Sequence, residues 1–114
     1  MATVFQQIVA GEKQADILHQ DQEVTAFRDA DPQAPVHILV VPNRPLASLD
    51  EMEGEDQALA GRLLLTAARL ARREGLAGEG YRVIINAGAH GGQEIAHLHL
   101  HLLGGRPLGP MLSG

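Results

Sequence analysis

The sequence predicts an α+β domain with a mostly antiparallel sheet and helices over one face. Four short segments have the composition of strands, and one long amphipathic helix separates the second from the third. A doubly wound fold is not expected, because its strands and helices would alternate throughout the chain. With 114 residues and a mass of 12.2 kDa, residues 1–114 have the size of one ordinary domain that can bury a core.

The first predicted helix covers residues 3–10. It begins with Thr3 and Gln6 at the spacing of a capping box, followed by apolar residues that share one helical face. Residues 24–27 and 36–41 predict the first two strands. Turn-forming residues follow the first of these strands, and a proline stops the second.

The long helix is predicted over residues 55–74. Leucines and alanines form one apolar face, acids stand in the first turn, and arginines stand in the last. Before it, Ser48 and Glu51 have the spacing of a capping box and predict a separate turn. Residues 81–86 and 97–103 predict the third and fourth strands, with a glycine-rich loop between them.

The composition excludes several classes of protein. The chain has no cysteine, which excludes a disulfide framework, a thiolate metal site and a cysteine nucleophile. A net charge of −5 argues against broad nucleic-acid binding, which needs a field of lysines and arginines. No apolar run approaches the ~20 residues of a membrane span, and the beginning of the sequence lacks a secretory pattern. We therefore expect a cytoplasmic protein without a membrane or nucleic-acid partner.

The most informative run is the alternation of His97, His99 and His101 with three leucines. Because strand side chains alternate between faces, the histidines are expected on one face and the leucines on the other, against the core. Three adjacent imidazoles make a poor structural surface, since each brings polar nitrogens that need partners and a charge that changes near neutral pH. This histidine ladder predicts a functional site.

Two kinds of site are compatible with the ladder. Histidines two residues apart on a strand can bind zinc, or a neutral imidazole can attack phosphorus while its neighbours hold the phosphate oxygens. A zinc site usually has carboxylates that orient its imidazoles, and Glu94 is the one acid in the ten residues before the ladder. Residues 86–93 supply glycines and amide side chains, which suit a phosphate. The neighbouring loop therefore favours a phosphate site over a zinc site.

The ladder also fits the pattern His-φ-His-φ-His-φ-φ, with φ apolar, of the histidine triad (HIT) superfamily. Residues 29–37, 91–94 and 103–112 further resemble the HINT branch of that superfamily, the nucleoside phosphoramidases, and its bacterial members in particular. The resemblance covers nearly the whole chain, in order and with matching spacing. It implies the HIT fold and a homodimer in which the long helix and a sheet edge meet their counterparts.

The resemblance implies hydrolysis of the P–N bond of purine nucleoside 5′-phosphoramidates through a nucleotidyl-histidine, giving nucleotide and amine. It assigns the nucleophile to His99, a phosphate contact to His101, and the orientation of the nucleophile to His97, partly through its backbone carbonyl. His37, on the second strand, would complete the histidine cluster. The implied nucleotide-binding residues are Asp29 and Ala30 at the ribose, and Asn86, Gly92, Gln93 and Glu94 at the phosphate.

Rival functions stay open at this level. The first rival is a dinucleoside polyphosphate hydrolase or a nucleotidyl transferase of the same superfamily. Such transferases typically replace the third histidine of the ladder, so the presence of His101 favours hydrolysis. A non-catalytic nucleotide-binding regulatory module would use the same residues, and a zinc protein is the third rival. Relatives often carry a tyrosine at the position of Ala96, and the animal enzymes have serine at the position of Glu94. These differences leave the identity of the amine undetermined.

Overall fold

The computed structural model describes residues 2–112, so the ends of the predicted domain, Met1 and residues 113–114, lie outside the described residues. The five strands are β1 (Ile17–Gln20), β2 (Val24–Arg28), β3 (Val36–Pro42), β4 (Tyr81–Ile85) and β5 (Leu100–Gly104). The helices are α1 (Val4–Val9) and α2 (Gln57–Arg73), and two 3-10 turns, Leu49–Glu51 and Gly54–Asp56, precede α2. The strands form one antiparallel sheet in the order β1-β2-β3-β5-β4, which confirms the predicted fold class. The prediction that the helices lie over one face is wrong, because α1 packs on the face of the sheet opposite to α2.

Helix α1 begins with the capping box that the sequence predicts. The Thr3 hydroxyl accepts a hydrogen bond from the Gln6 backbone N–H at 3.1 Å, and the Gln6 side-chain oxygen accepts one from the Thr3 backbone N–H at 2.7 Å. Phe5 and Ile8 point inward from this helix and are buried. A helix of six residues is too short to be stable alone, so this cap and the two buried side chains hold it in place.

Helix α2 begins two residues later than predicted, because a 3-10 turn takes up its first turn. The buried Asp56 carboxylate accepts hydrogen bonds from the Glu53 backbone N–H and from Arg44, which fixes this tighter turn. The predicted separate turn forms, and the Ser48 hydroxyl caps it by accepting from the Asp50 backbone N–H at 3.2 Å. The reciprocal capping box is wrong, because the Glu51 carboxylate accepts from the Ala47 backbone N–H instead. No helix among residues 2–112 has the length and apolarity needed to cross a membrane.

Strand β1 is absent from the prediction. It has only four residues at the open edge of the sheet, they are mostly half-exposed, and the register shifts between Ile17 and His19. A strand this short and this exposed carries neither a long alternation nor a buried apolar run. As a result α2 comes between β3 and β4 in the chain, which are the third and fourth strands in sequence order and not the second and third.

Strand β5 begins at Leu100, so the prediction of a strand from His97 is wrong for its first three residues. Strand β3, its neighbour, ends at Pro42, which has no N–H to donate. The Leu98 backbone N–H instead donates to the Leu46 carbonyl at 2.7 Å. Residues 97–99 therefore do not pair with β3 through backbone hydrogen bonds. Leu98, Leu100 and Leu102 are nevertheless all buried on the predicted face.

The sheet separates two apolar clusters. Ile38 and Val40 of β3 point toward α2 and join a helix-side cluster that also contains the three leucines of the ladder. Leu39 and Val41, which alternate with them, point to the other face and join a cavity-side cluster with Phe5, Ile8 and Phe27. The histidines of the ladder lie on this second face, over the smaller cluster.

Candidate active site

A cavity of about 810 Å³ opens on the cavity-side face of the sheet. Helix α1 and the loops before β3 and after β4 surround it. Eight residues that the sequence predicts for the site line this cavity: Asp29, Ala30, His37, Asn86, Gly92, Glu94, His99 and His101. The topology thus brings together positions from four separate stretches of the chain.

Two predicted site residues, Gln93 and His97, do not line the cavity. The Gln93 amide donates to the carbonyls of Ala47 and Ile95 at 2.6 and 2.9 Å, so it ties the loop to the body of the protein. The His97 ring is fully buried behind His99, and its Nε2–H donates to the Pro42 carbonyl at 2.8 Å. The other ring nitrogen, Nδ1, has no partner among the described residues.

The His99 ring is held in one tautomer. Its Nδ1 lies 2.7 Å from the His97 carbonyl oxygen. A carbonyl can only accept a hydrogen bond, so Nδ1 carries the proton and Nε2 keeps a free lone pair. Phe5 packs against this ring in a T-shaped arrangement, with centroids 4.9 Å apart. An imidazole in this tautomer can act as a nucleophile without a separate base.

A chain of hydrogen bonds fixes the tautomers of His37 and His101. The Gln33 backbone N–H donates to His37 Nδ1 at 3.1 Å, so the proton of the neutral His37 ring resides on Nε2. That Nε2 lies 2.9 Å from His101 Nδ1, which must then accept. The proton of His101 therefore resides on Nε2, the ring nitrogen that remains to face the cavity. His101 can donate a hydrogen bond to an anionic oxygen there.

The glycine-rich loop after β4 is tightly wound at the cavity mouth. A Cβ on Gly91 would lie 2.5 Å from the Ala87 carbonyl oxygen, which leaves no room for any other residue. The Asn86 side-chain amide donates to the Gly91 carbonyl at 2.6 Å and closes the loop. The loop therefore offers a compact backbone surface beside the histidines.

These features agree with a comparison of the chain with known families. A family model of the HIT domain matches residues 10–108. This chain belongs to the HIT family. The HIT fold thus accounts for both the sheet order and the histidines gathered on one face.

Similar proteins match over nearly their whole length. The Escherichia coli K12 protein named purine nucleoside phosphoramidase is 50% identical over 97% of this chain and 93% of its own. The crystal structure of a HIT family hydrolase from Legionella pneumophila has a TM-score of 0.93 and 41% identity, covering 95% of this chain and 96% of that one. A HIT family hydrolase from Clostridium thermocellum has a TM-score of 0.93 and 36% identity, covering 97% and 96%.

Sequence reasoning missed the walls of this HIT cavity. Its apolar side consists of Val4, Phe5, Ile8, Phe27 and Leu39, and its rim includes Lys13 to Asp16, Asp31 and Gln33. The apolar periodicity of α1 predicted a core face, and the same side chains serve both the core and the cavity. Gln33 could not be found from its side chain, because its backbone N–H makes the contact with His37.

Burial favours the neutral form of His37, His97 and His101. It lowers the pKa of His101 to about 4, and the neighbouring charges of His99 and His37 act in the same direction. Burial also lowers the pKa of His37, although Asp29 and Asp31 oppose that effect, and it lowers the pKa of His97. Near neutral pH these three rings are therefore uncharged and keep the tautomers set by their hydrogen bonds.

A pH-dependent stability follows from His101. Its folded pKa of about 4 lies below the ordinary value of 6.5, so the unfolded chain binds the proton first as the pH falls. The contribution to stability is complete above pH 6.5 and is lost on the way down to the folded pKa. Between about pH 7 and about pH 5 this group alone should lower the free energy of unfolding by about 2 kcal/mol.

Urea unfolding at the two pH values checks this expectation. His101→Ala should unfold with a weaker dependence on pH than the wild type, whereas His90→Ala, which removes an exposed histidine of the glycine-rich loop, should keep the wild-type dependence. An equal change in the free energy of unfolding between the two pH values for His101→Ala and the wild type would mean that His101 is not held neutral by the fold.

A metal ion could be considered at Asp29, His37 and His101, whose ligand atoms lie within 4.8 Å of one another. The hydrogen bonds argue against this use. His37 Nδ1 accepts from the Gln33 backbone, so His37 Nε2 carries a proton and has no lone pair for a metal. Binding there would require an imidazolate or the loss of the Gln33 bond, and the cluster does not fit a resident metal ion.

Proposed function

We propose that this HIT protein hydrolyses purine nucleoside 5′-phosphoramidates to a nucleoside monophosphate and an amine. One observation carries the proposal: the centroids of the His99 and His101 rings lie 5.0 Å apart beside the cavity, and the hydrogen bonds of these rings leave a lone pair on His99 Nε2 and a donor N–H on His101 Nε2. A nucleophile next to a donor is what attack on a phosphate requires. The name of the Escherichia coli relative supports this substrate class.

In the first step His99 Nε2 attacks the phosphorus and the P–N bond breaks. The departing nitrogen takes up a proton and leaves as an amine, and the nucleotidyl group stays on His99. Positive charge develops on the imidazole, and the His97 carbonyl, 2.7 Å from Nδ1, stabilises it because its dipole is already oriented. The His101 Nε2–H donates to a phosphate oxygen during the same step.

In the second step water attacks the phosphorus and the bond to His99 Nε2 breaks. The water loses a proton, the nucleoside monophosphate leaves, and His99 returns to the neutral tautomer with its proton on Nδ1. Neither step uses a metal ion or a cofactor. Because the same face of the phosphate meets His99 and His101 throughout, one set of side chains serves both steps.

The rest of the substrate has matching surfaces in the cavity. Asp29 is suited to accept hydrogen bonds from the ribose hydroxyls, with Ala30 beside it. The apolar wall of Phe5, Ile8 and Phe27 suits the flat faces of a purine. We assign Asn86, Gly92 and Glu94, which line the cavity, to the phosphate and the amine end.

The test is turnover of adenosine and guanosine 5′-phosphoramidates by the purified protein, followed as nucleotide release, with diadenosine polyphosphates in parallel. Mass spectrometry of the quenched reaction should reveal a nucleotidyl adduct on the peptide that contains His99. Preference for the polyphosphates would indicate a dinucleoside polyphosphate hydrolase. Tight binding of nucleotide with no turnover of either substrate would indicate a regulatory module.

We also propose that the protein is a homodimer. Strand β4 lies at an open edge of the sheet, and Leu64 and Leu65 on α2 are each 53% exposed. Open edge strands and exposed large apolar side chains are surfaces that proteins usually cover. Light scattering after size exclusion should give about twice the chain mass of 12.2 kDa. A monomer at assay concentration would contradict this expectation, and Leu65→Glu should shift a dimer toward monomer.

A further inference from the structure

The segment that follows β5 packs closely on the loop that precedes β3. A Cβ on Gly105 would lie 2.8 Å from Cβ of Pro35, and the φ of Gly105 is +99°, so only glycine suits this approach. The next residue, Arg106, donates from Nη2 to the Gln33 carbonyl oxygen at 3.0 Å. The end of the histidine strand thus holds a loop that is distant in the sequence.

Gln33 is the residue whose backbone N–H donates to His37 Nδ1 at 3.1 Å. Arg106 therefore holds the carbonyl on one side of the Gln33 Cα, and His37 receives the N–H on the other side. The remaining bonds of this residue lie within its own loop: the Gln33 side-chain amide donates to the Asp31 carbonyl at 3.0 Å. Among residues 2–112, Arg106 supplies the hydrogen bond from a side chain outside the loop that fixes the Gln33 backbone.

We infer that Arg106 is a positioning residue that acts through the Gln33 backbone and His37 on His101. This inference rests on the proposed function, because it assigns a role to the His101 Nε2–H. If the Gln33 N–H moves away, His37 can carry its proton on Nδ1 and lose it from Nε2. His101 must then carry its own proton on Nδ1 to satisfy His37, and its Nε2 no longer donates to the phosphate.

The test compares Arg106→Met with the wild type by two measurements. Long-range ¹H–¹⁵N spectra of the histidine rings, recorded without substrate near neutral pH, should assign the Nε2–H tautomer to His37 and His101 in the wild type. In Arg106→Met both rings should become tautomer mixtures. The kcat for a nucleoside phosphoramidate should fall roughly 10- to 100-fold, as expected when a catalytic group is misplaced, with KM changed less than about twofold.

Three further variants sharpen the test. Arg106→Lys should restore part of the kcat and of the tautomer signal, because an ammonium can donate to the same carbonyl. Arg69→Met, which removes an equal charge from the exposed face of α2, should behave as the wild type. Gln33→Pro removes the N–H itself and should reproduce the tautomer mixture, whereas Gln33→Ala keeps the N–H and should not.

Two results would overturn the inference. One is a wild-type ring spectrum in Arg106→Met. The other is an increase in KM with kcat unchanged, which would mean that Arg106 contacts the substrate directly. Because the spectra need no substrate, they test the positioning role even if the wild type fails to hydrolyse phosphoramidates, so the two failures can be told apart.

Discussion

Replacing His99 with alanine is expected to reduce phosphoramidate turnover by at least about 10⁴-fold, the scale on which a covalent nucleophile acts. The reason is that, in the proposed mechanism, the Nε2 lone pair of His99 forms the bond to phosphorus, and the bond from Nδ1 to the His97 carbonyl keeps that lone pair free. Nucleotide binding should survive, since the ribose and base surfaces of the cavity are untouched. Stopped assays of nucleotide release, together with calorimetric binding of AMP and GMP, measure both quantities.

The adduct gives this prediction a second readout. The wild type should carry a nucleotidyl group on His99 when the reaction is quenched early, and His99→Ala should carry none. His90→Ala, in the glycine-rich loop, is a matched histidine control that should keep both turnover and adduct. Turnover of His99→Ala near the wild-type rate would mean that another group is the nucleophile, and loss of nucleotide binding would mean that the variant is not a clean probe of chemistry.

Replacing His101 with alanine should lower kcat by roughly 10²- to 10³-fold, the usual effect of removing one donor that stabilises charge in the transition state. The effect is smaller than for His99, because the nucleophile remains. The His37 Nε2–H also loses its acceptor, which lies 2.9 Å away in the wild type. KM should change much less than kcat, since the donor acts mainly on the transition state.

Steady-state kinetics and the quenched adduct separate the possibilities for His101→Ala. The adduct should still form, but slowly, so its appearance should be the step that slows. Rapid adduct formation followed by slow release would assign His101 to the second step alone. An unchanged kcat would exclude His101 from the chemistry. The neutral state of His101 near pH 7 would then be a consequence of its burial alone.

The sequence predicted the parts of this fold that have strong periodic patterns. The alternation of histidine and leucine assigned the histidines to one face of the sheet and the leucines to the other, buried face. The capping box of Thr3 and Gln6 predicted the start of α1. It failed where local pattern is weak. Strand β1 is short and exposed, and the start of β5 depends on where β3 ends at Pro42 and on a bond from Leu98 to Leu46, which no local pattern encodes.

The site was predicted as a set of residue types but not as an arrangement. The histidines of the ladder could be named because three adjacent imidazoles imply chemistry, whereas the individual phosphate and ribose residues came from the resemblance to the HINT branch. The tautomer of His37 could not be predicted, because it depends on a hydrogen bond from the Gln33 backbone N–H. The identity of the Gln33 side chain does not indicate that its backbone is a donor to His37. The cavity walls also escaped notice, because Phe5 and Ile8 have the same apolar signature in a core as beside a ligand.

The separation of the two apolar clusters by the sheet has a consequence for how such a protein can change over generations. The larger cluster lies under α2 and contains most of the buried side chains, whereas α1 and the segment around Lys13 enclose the cavity on the opposite face. Substitutions that retune the ligand can therefore accumulate on one side while the other side keeps the chain folded. Because Phe5, Ile8 and Phe27 also belong to the smaller buried cluster, the part of the cavity that tolerates mutation is its exposed rim at Lys13, Gln14 and Asp16, where substitutions can alter ligand preference at little risk to folding.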